Sequence, residues 1–315
     1  MNVTRLADAG FVDLYLGSDY AEIKGMTGAG RALAPAPAGL QDDIQALKKR
    51  CSEVYKQTGR TEYAVHHDDR RYRVTVANDL QDNETFIIRQ TPDGIRPIDK
   101  IGFSSDLIRS VNDVKQTGLV LISGPMGAGK TTTAASVVSQ RIRQTGLLGV
   151  SIEDPIETLL QGQHGNGRCI QLEVGEREGY ASATKKAFRM GATTFLLGEI
   201  RDGETAHEVL KASLSMFVVA TLHASSVIEA IEKYSILCEE KNHHAKAMIA
   251  KSLYIVTWQT LTPIIRADEI AGHHVDMVGF NIKCATTRDV IQAKIASGEL
   301  KSLNDQFGAI RYRFT

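Results

Sequence analysis

The sequence predicts an α/β protein: a mainly parallel sheet with helices on both faces over residues 101–315, preceded by a smaller α+β domain over residues 1–92. Three observations lead there. From about residue 100, short apolar runs alternate with helical patterns. One strand-to-helix junction, residues 124–131, is a glycine-rich loop. The first ninety residues instead combine one helical pattern with several alternating strands.

Val12–Leu16 alternates like a half-buried strand, and residues 40–58 set Leu40, Ile44, Leu47, Cys51 and Val54 on one helical face. Residues 62–67, 71–76 and 85–89 read as antiparallel strands separated by turn material at 67–70 and 78–83. Gln90–Pro97 is rich in turn residues, and the linker is placed at 93–100. Downstream, apolar strands are expected at 118–123, 148–152, 168–172, 194–198 and 217–222. Helices are expected at 131–144, 180–190 and 203–214. After residue 225 two more helical segments lead to Gln259–Ile265, a small β region and a late helix at 286–297. Together these form a helical and β extension of the second domain.

The stretch LISGPMGAGKTTT, residues 121–133, carries the most specific chemistry. Gly124, Gly129, Lys130 and Thr131 satisfy G-x-x-x-x-G-K-[ST]. Over Gly124, Pro125, Met126, Gly127, Ala128 and Gly129 the backbone can curl so that successive N–H groups face one anion. The helix that begins at Lys130, Thr131 and Thr132 offers its N-terminus to the same charge. Lys130 would reach the terminal phosphates of a triphosphate such as ATP, and the Thr131 hydroxyl would sit on Mg²⁺. Upstream, Gly25–Ala32 has similar glycines but neither the lysine nor the hydroxyl. It lies in KGMTGAGRALAPAPAG and reads as a surface loop.

Composition narrows the partners. Thirty-seven basic residues balance 37 acidic ones, which argues against a chain whose main task is gripping a nucleic-acid backbone. The four cysteines, Cys51, Cys169, Cys238 and Cys284, form no C-x-x-C pair and read as thiols of a reducing cytoplasm. No signal peptide and no apolar run near the length of a membrane span is present.

In a parallel sheet, ligands sit at the carboxyl ends of the strands. One predicted strand runs into Glu153, Asp154 and Glu157; another runs into Glu199, Arg201 and Asp202. A phosphate-loop hydrolase needs a group for Mg²⁺ and one that orients the attacking water, and acids at neighbouring strand ends supply both. A third strand ends at Thr221 and His223, where an imidazole could sense a γ-phosphate. The adjacent pairs His66-His67, His243-His244 and His273-His274 are poor metal sites, since neighbours on a strand point to opposite faces.

In order and spacing, the phosphate loop, SIEDPIE, FLLGEIRDGET and ATLHASS resemble the bacterial type II/type IV secretion ATPases, most of all their PilT/DotB-like branch. The resemblance extends to GFVDLYLG, RRYRVTV, FIIRQTPDGIRPIDKIGF and WQTLTPIIR. It implies a PAS-like first domain and a RecA-like ATPase second domain, working as a homohexameric motor on the cytoplasmic face of the inner membrane. Implied partners are an inner-membrane platform protein of a pilus or secretion machine and a paralogous motor ATPase. No direct nucleic-acid contact is expected. By position, Lys130 and Thr131 match the Walker lysine and the Mg²⁺ ligand. Glu153, Asp154 and Glu157 match the aspartate box, with Glu157 as general base and Asp154 beside Mg²⁺. Glu199 matches the Walker B glutamate, also near Mg²⁺, and His223 the second family histidine. Arg189 and Arg201 match arginines flanking Walker B. Arg71, Arg73 and Arg89 match arginines that face nucleotide across a subunit boundary, where a guanidinium fork suits phosphate.

Three departures mark this chain within that branch. Met216 stands where retraction motors carry histidine, Met190–Thr193 replace an acid-Pro-Asp, and little sequence follows KSLNDQFGAI. The rival readings are a non-catalytic or weakly active ring partner, a RecA-like nucleic-acid translocase and a small-molecule kinase. Each shares the loop but differs in what stimulates turnover.

Overall fold

The computed structural model describes residues 4–26, 33–92, 94–174, 179–266, 269–283, 285–304 and 312–314, without the side chains of 263, 265, 266, 269–272 and 312–314. The chain packs as two units. The first holds residues 1–93 together with 155–159 and 263–272; the second holds the rest.

The first unit contains β1 (Asp13–Leu16), β2 (Ala21–Lys24), β3 (Leu33–Pro35), α1 (Gln41–Thr58), β4 (Glu62–His67), β5 (Arg70–Asn78) and β6 (Glu84–Gln90). These strands form an antiparallel sheet in the order β3-β2-β1-β6-β5-β4. Ile44, Leu47 and Cys51 of α1 pack into a core with Leu14, Leu16, Tyr72, Val74, Phe86 and Ile88. Gly59 ends the helix in the left-handed conformation. The alternation is strict on β5: Tyr72, Val74 and Val76 are buried, so Arg71 and Arg73 take the other face.

The loop reading of KGMTGAGRALAPAPAG needs one correction. Leu33–Pro35 forms β3, which pairs with β2 at the sheet edge among the described residues. A proline lacks a ladder donor, so it fits an edge strand, and composition alone does not reveal the pairing. Residues 27–32 of that stretch lie outside the described residues.

The second unit begins with α2 (Ser105–Asn112), β7 (Gly118–Gly124), α3 (Lys130–Thr145), β8 (Leu148–Glu153), β9 (Gly162–His164), β10 (Gly167–Glu173) and α4 (Gly179–Arg189). It continues with β11 (Thr194–Glu199), α5 (Gly203–Ser213), β12 (Phe217–His223), α6 (Val227–Glu239) and α7 (Ala245–Ser252). It ends with β13 (Leu253–Arg266), β14 (Glu269–Asn281), α8 (Arg288–Ser297) and β15 (Tyr312–Phe314). The sheet order is β15-β14-β13-β7-β12-β11-β8-β10-β9. The six strands from β13 to β10 pair in parallel, and β9 pairs antiparallel at one edge. The predicted α/β class with a mainly parallel sheet therefore holds.

All seven residues of β7 are buried, as a strand covered on both faces requires. Leu119 and Leu121 join the core beneath α4, α5 and α6, while Val120 and Ile122 join the core beneath α2 and α3. Sequence reading missed α2, although Ser104 caps it by accepting from the Leu107 amide at 3.2 Å. It also missed β9, whose three residues carry no periodicity.

Arg141 is a heavily bonded buried cation of this core. It lies on α3 and is 3% exposed. Its guanidinium donates to the carbonyls of Val111, Asp113, Val114 and Gln116 and stacks 4.4 Å from the Phe217 ring centroid. It thus fastens the chain between α2 and β7, the strand that leads into the phosphate loop. Arg141→Ala should lower unfolding stability by about 3 kcal/mol, because four carbonyls lose the donor they share and the buried stack on Phe217 is lost. Arg141→Lys should not rescue it, since one ammonium cannot span four carbonyls held by a planar fork. Chemical denaturation of the three proteins checks both expectations.

Candidate functional site

The loop after β7 is shaped from two sides. Gly129 sits at φ 77° as the residue before α3, a left-handed conformation that a side chain would strain. Gly124 faces β13 so closely that an added Cβ would collide with the Gln259 carbonyl oxygen. Pro125, Met126 and Gly127 are exposed at the crest, and Ala128 is buried beneath them. Helix α3 has no side-chain cap, whereas Asp202 and Ser226 cap α5 and α6 by accepting from Thr205 and Glu229 amides. The α3 amides therefore remain available to an anion. Thr131 and Thr132 sit half-buried in its first turn.

The strand ends bring four of the anticipated side chains together. In the parallel register His223 of β12 lies opposite Gly124 of β7, and Glu199 of β11 lies opposite Thr221 of β12. Lys130 Nζ donates to the carbonyls of Gly124 at 3.1 Å and Pro125 at 2.9 Å, and contacts His223 Nδ1 at 3.2 Å. His223 Nε2 lies 2.9 Å from Glu199 Oε1, and Arg201 Nε donates to Glu199 Oε2 at 2.7 Å. Thr221 donates its hydroxyl to the Gly198 carbonyl at 2.8 Å, fixing the turn into Glu199.

This chain of contacts sets one tautomer. A carboxylate on Nε2 wants a hydrogen there, leaving the Nδ1 lone pair to accept from the lysine. Burial, and then the charge of Lys130, hold the His223 pKa below the ordinary histidine value. Neutral His223 is thus the folded form. The unfolded chain binds the proton more readily, so this residue's stabilisation is full above the ordinary histidine pKa and is lost as pH falls below it. Thermal midpoints of wild type and His223→Gln from pH 5 to 8 should converge toward the acid end.

Other expected residues are placed differently. Glu153 is 3% exposed; it accepts from the Ser151 hydroxyl and from Gln171 Nε2 at 3.0 Å. Asp154, Glu153, Glu199 and Arg201 all act electrostatically on the phenol of Tyr180, whose pKa is raised chiefly by burial. Tyr180 is thus a neighbour of the acids that no sequence motif announced. Arg189 is exposed at the end of α4, and none of the strand-end contacts above involves it.

Glu157 belongs to the first unit by packing. Its Oε1 accepts from Arg73 at 2.5 Å, and Glu62 lies 3.5 Å from the same guanidinium. Arg73 is the direct cross-strand partner of Arg89, which donates to Asp13 at 2.8 Å. Arg71 lies two residues before Arg73 and so shares its face.

Cys51, Cys169 and Cys238 are buried, which pushes each thiol up to about 12 and keeps it protonated; Cys284 lies outside the described residues. Among the described residues, one group of three could approach a metal: Asp43, His67 and Asp68. His67 Nε2 already contacts Asp43 Oδ1 at 2.6 Å, while the other Asp43 oxygen accepts from the Leu6 amide, as an ordinary ion pair and cap would.

A glycine-rich loop feeding an uncapped helix, with a lysine, a histidine and acids converging at parallel strand ends, defines a phosphate-loop protein of the doubly wound α/β class. Family comparison makes this specific. Residues 51–295 match the model of the type II/IV secretion system protein family, and the chain belongs to it. The type IV pilus retraction ATPase PilT of Pseudomonas aeruginosa is 30% identical over 217 residues, covering 66% of this chain and 60% of that protein. The competence protein ComGA of Streptococcus pneumoniae is 31% identical over 180 residues, covering 56% and 54%. The aligned chain thus spans under two thirds of the length of these curated relatives. In fold it is similar to the pilus retraction motor PilT with bound ADP, at TM-score 0.75 and 22% identity over 95% of this chain and 86% of that one. It is also similar to the Legionella pneumophila ATPase DotB, at TM-score 0.72 and 20% identity over 95% and 85%.

Proposed function

We propose that this chain is an ATP-hydrolysing motor subunit of a type IV pilus or related secretion machine, working as a homohexamer. The observation that carries this reading is the continuous contact from Lys130 through His223 and Glu199 to Arg201 across three neighbouring strand ends. An ammonium held by two carbonyls and a neutral imidazole can exchange those partners for phosphate oxygens, to which its hydrogen bonds are stronger. That exchange releases His223, and through it the hold on Glu199. The occupancy of the loop is thereby reported to the acids that do the chemistry.

The donor set fits Mg²⁺. Thr131 offers a hydroxyl next to the lysine, and the carboxylates of Asp154 and Glu199 both act on Tyr180. When bound, the ion neutralises charge on the triphosphate. Glu157 or Glu199 orients the attacking water. Arg71, Arg73 and Arg89 form an arginine face suited to phosphate from a neighbouring subunit, and the first unit takes the role of a PAS-like domain. Hydrolysis changes the charge that such arginines meet, and rigid-body movement of the lobes follows. A platform protein at the inner membrane receives the movement.

The test is ATP turnover against protein concentration, with mass measured by light scattering. A ring motor gains specific activity as hexamers form and is indifferent to DNA. Turnover that is independent of assembly, or that requires DNA or a small-molecule acceptor, overturns the proposal.

A further inference from the structure

Strand β13 lies beside β7 in parallel, with Thr257 opposite Ile122 and Trp258 opposite Ser123. The next residue, Gln259, is 1% exposed and touches the phosphate loop at both ends. Its backbone carbonyl fills the space left by the missing side chain of Gly124. Its side-chain Nε2 donates to the Ala128 carbonyl at 2.5 Å. That nitrogen also lies 3.6 Å from where a Cβ of Gly129 would stand. The remaining atom, Gln259 Oε1, is buried and has no hydrogen-bond partner among the described residues.

A buried amide oxygen without such a partner calls for an explanation. Here the amide's other end fixes the inner side of a loop whose crest residues 125–127 are exposed, with the Pro125 carbonyl held by Lys130. The neighbouring contacts reinforce the position. Ser123 donates its hydroxyl to the Thr257 carbonyl at 2.6 Å, and Trp258 Nε1 donates to the Ala224 carbonyl at 3.1 Å, just past His223. Thr257, Trp258 and Gln259 therefore tie the phosphate loop and the histidine strand end to one piece of β13.

We propose that Gln259 is a positioning residue of the phosphate site: its amide N–H holds the Ala128 carbonyl away from the anion, so that the amides of residues 127–131 face the phosphates. This rests on the reading that the loop binds nucleotide. The residue does not act on the phosphate itself; it sets the backbone that does. A carbonyl released from Gln259 can turn into the loop, where it repels an anion and withdraws amides from it.

The test measures equilibrium binding of a fluorescent ADP, with Mg²⁺, to the full chain and two variants, each confirmed as folded by circular dichroism at every pH used. Gln259→Met keeps the length of the side chain but has no donor; its affinity should fall about tenfold at all pH values, as expected for one lost hydrogen bond of about 1.4 kcal/mol. Gln259→Glu separates positioning from packing. Protonated, the introduced carboxyl donates to the Ala128 carbonyl as the amide does; ionised, it cannot. Burial raises its pKa, so the switch falls within an accessible range. Relative to wild type at each pH, its affinity should approach parity at pH 5.5 and fall about tenfold or more by pH 8. Equal affinity of wild type and Gln259→Met, or a pH-independent defect in Gln259→Glu, overturns the positioning role. If wild type itself binds no nucleotide, the reading of the site fails and this inference with it.

Discussion

Lys130→Ala should abolish ATP hydrolysis and weaken nucleotide binding by about ten- to a hundredfold. The lysine is 8% exposed, and its ammonium is held by Gly124, Pro125 and His223. Charge-assisted hydrogen bonds to phosphate contribute about 1.5–3 kcal/mol each, which corresponds to that loss of affinity. Hydrolysis falls further than binding, because negative charge on the transferring group must be met where it develops. The substitution should also move His223. Its pKa is lowered by burial first and by Lys130 second. Without the ammonium it should rise, as proton NMR of the imidazole would show. Turnover in Lys130→Ala within a factor of a few of wild type would mean that phosphate is bound elsewhere.

The second large effect concerns the proton acceptor. Glu157→Gln should retain nucleotide binding and slow hydrolysis by about 10²–10⁴-fold, the usual share of a general base. Its ion pair with Arg73 has side-chain exposures of 24% and 40%, so losing it costs the fold about 0–1 kcal/mol at most. A fall in rate is therefore chemical rather than a consequence of unfolding. Glu199→Gln is the matched comparison. Glu199 is already held on both oxygens, by His223 and Arg201, which favours a role in orienting and holding charge over accepting a proton. Full turnover in Glu157→Gln, with loss in Glu199→Gln, would reassign the base to Glu199. Single-turnover phosphate release separates the two without interference from product dissociation.

The residues of this site differ in how visible they were in the sequence. Lys130, Thr131, Glu199 and His223 were legible because each follows an apolar run at a strand end, and a parallel sheet gathers strand ends by its topology. The strands at 118–124, 148–153, 194–199 and 217–223 were legible for the same reason: burial on both faces leaves a continuous apolar run. Gln259 and Arg141 were not. Gln259 acquires its contacts because β13, more than a hundred residues downstream, pairs beside β7. Nothing local in a Thr-rich strand announces that neighbour. Arg141 is a charged residue near the end of a helix, where a solvated side chain is the ordinary expectation, yet four carbonyls of the 111–116 segment draw its guanidinium inward. Glu153 shows the converse. It occupies a motif position, and its carboxylate is engaged by Ser151 and Gln171, contacts that motif order cannot disclose.

The most direct measurement is titration calorimetry of the purified chain with ATP, with and without Mg²⁺, followed by analysis of the recovered nucleotide. One ATP per chain should bind, more tightly with the ion, and should be recovered as ADP and phosphate; Lys130→Ala should show neither. An intact, folded chain that takes up no ATP, or holds it uncleaved indefinitely with Mg²⁺ present and hexamers formed, would contradict the account.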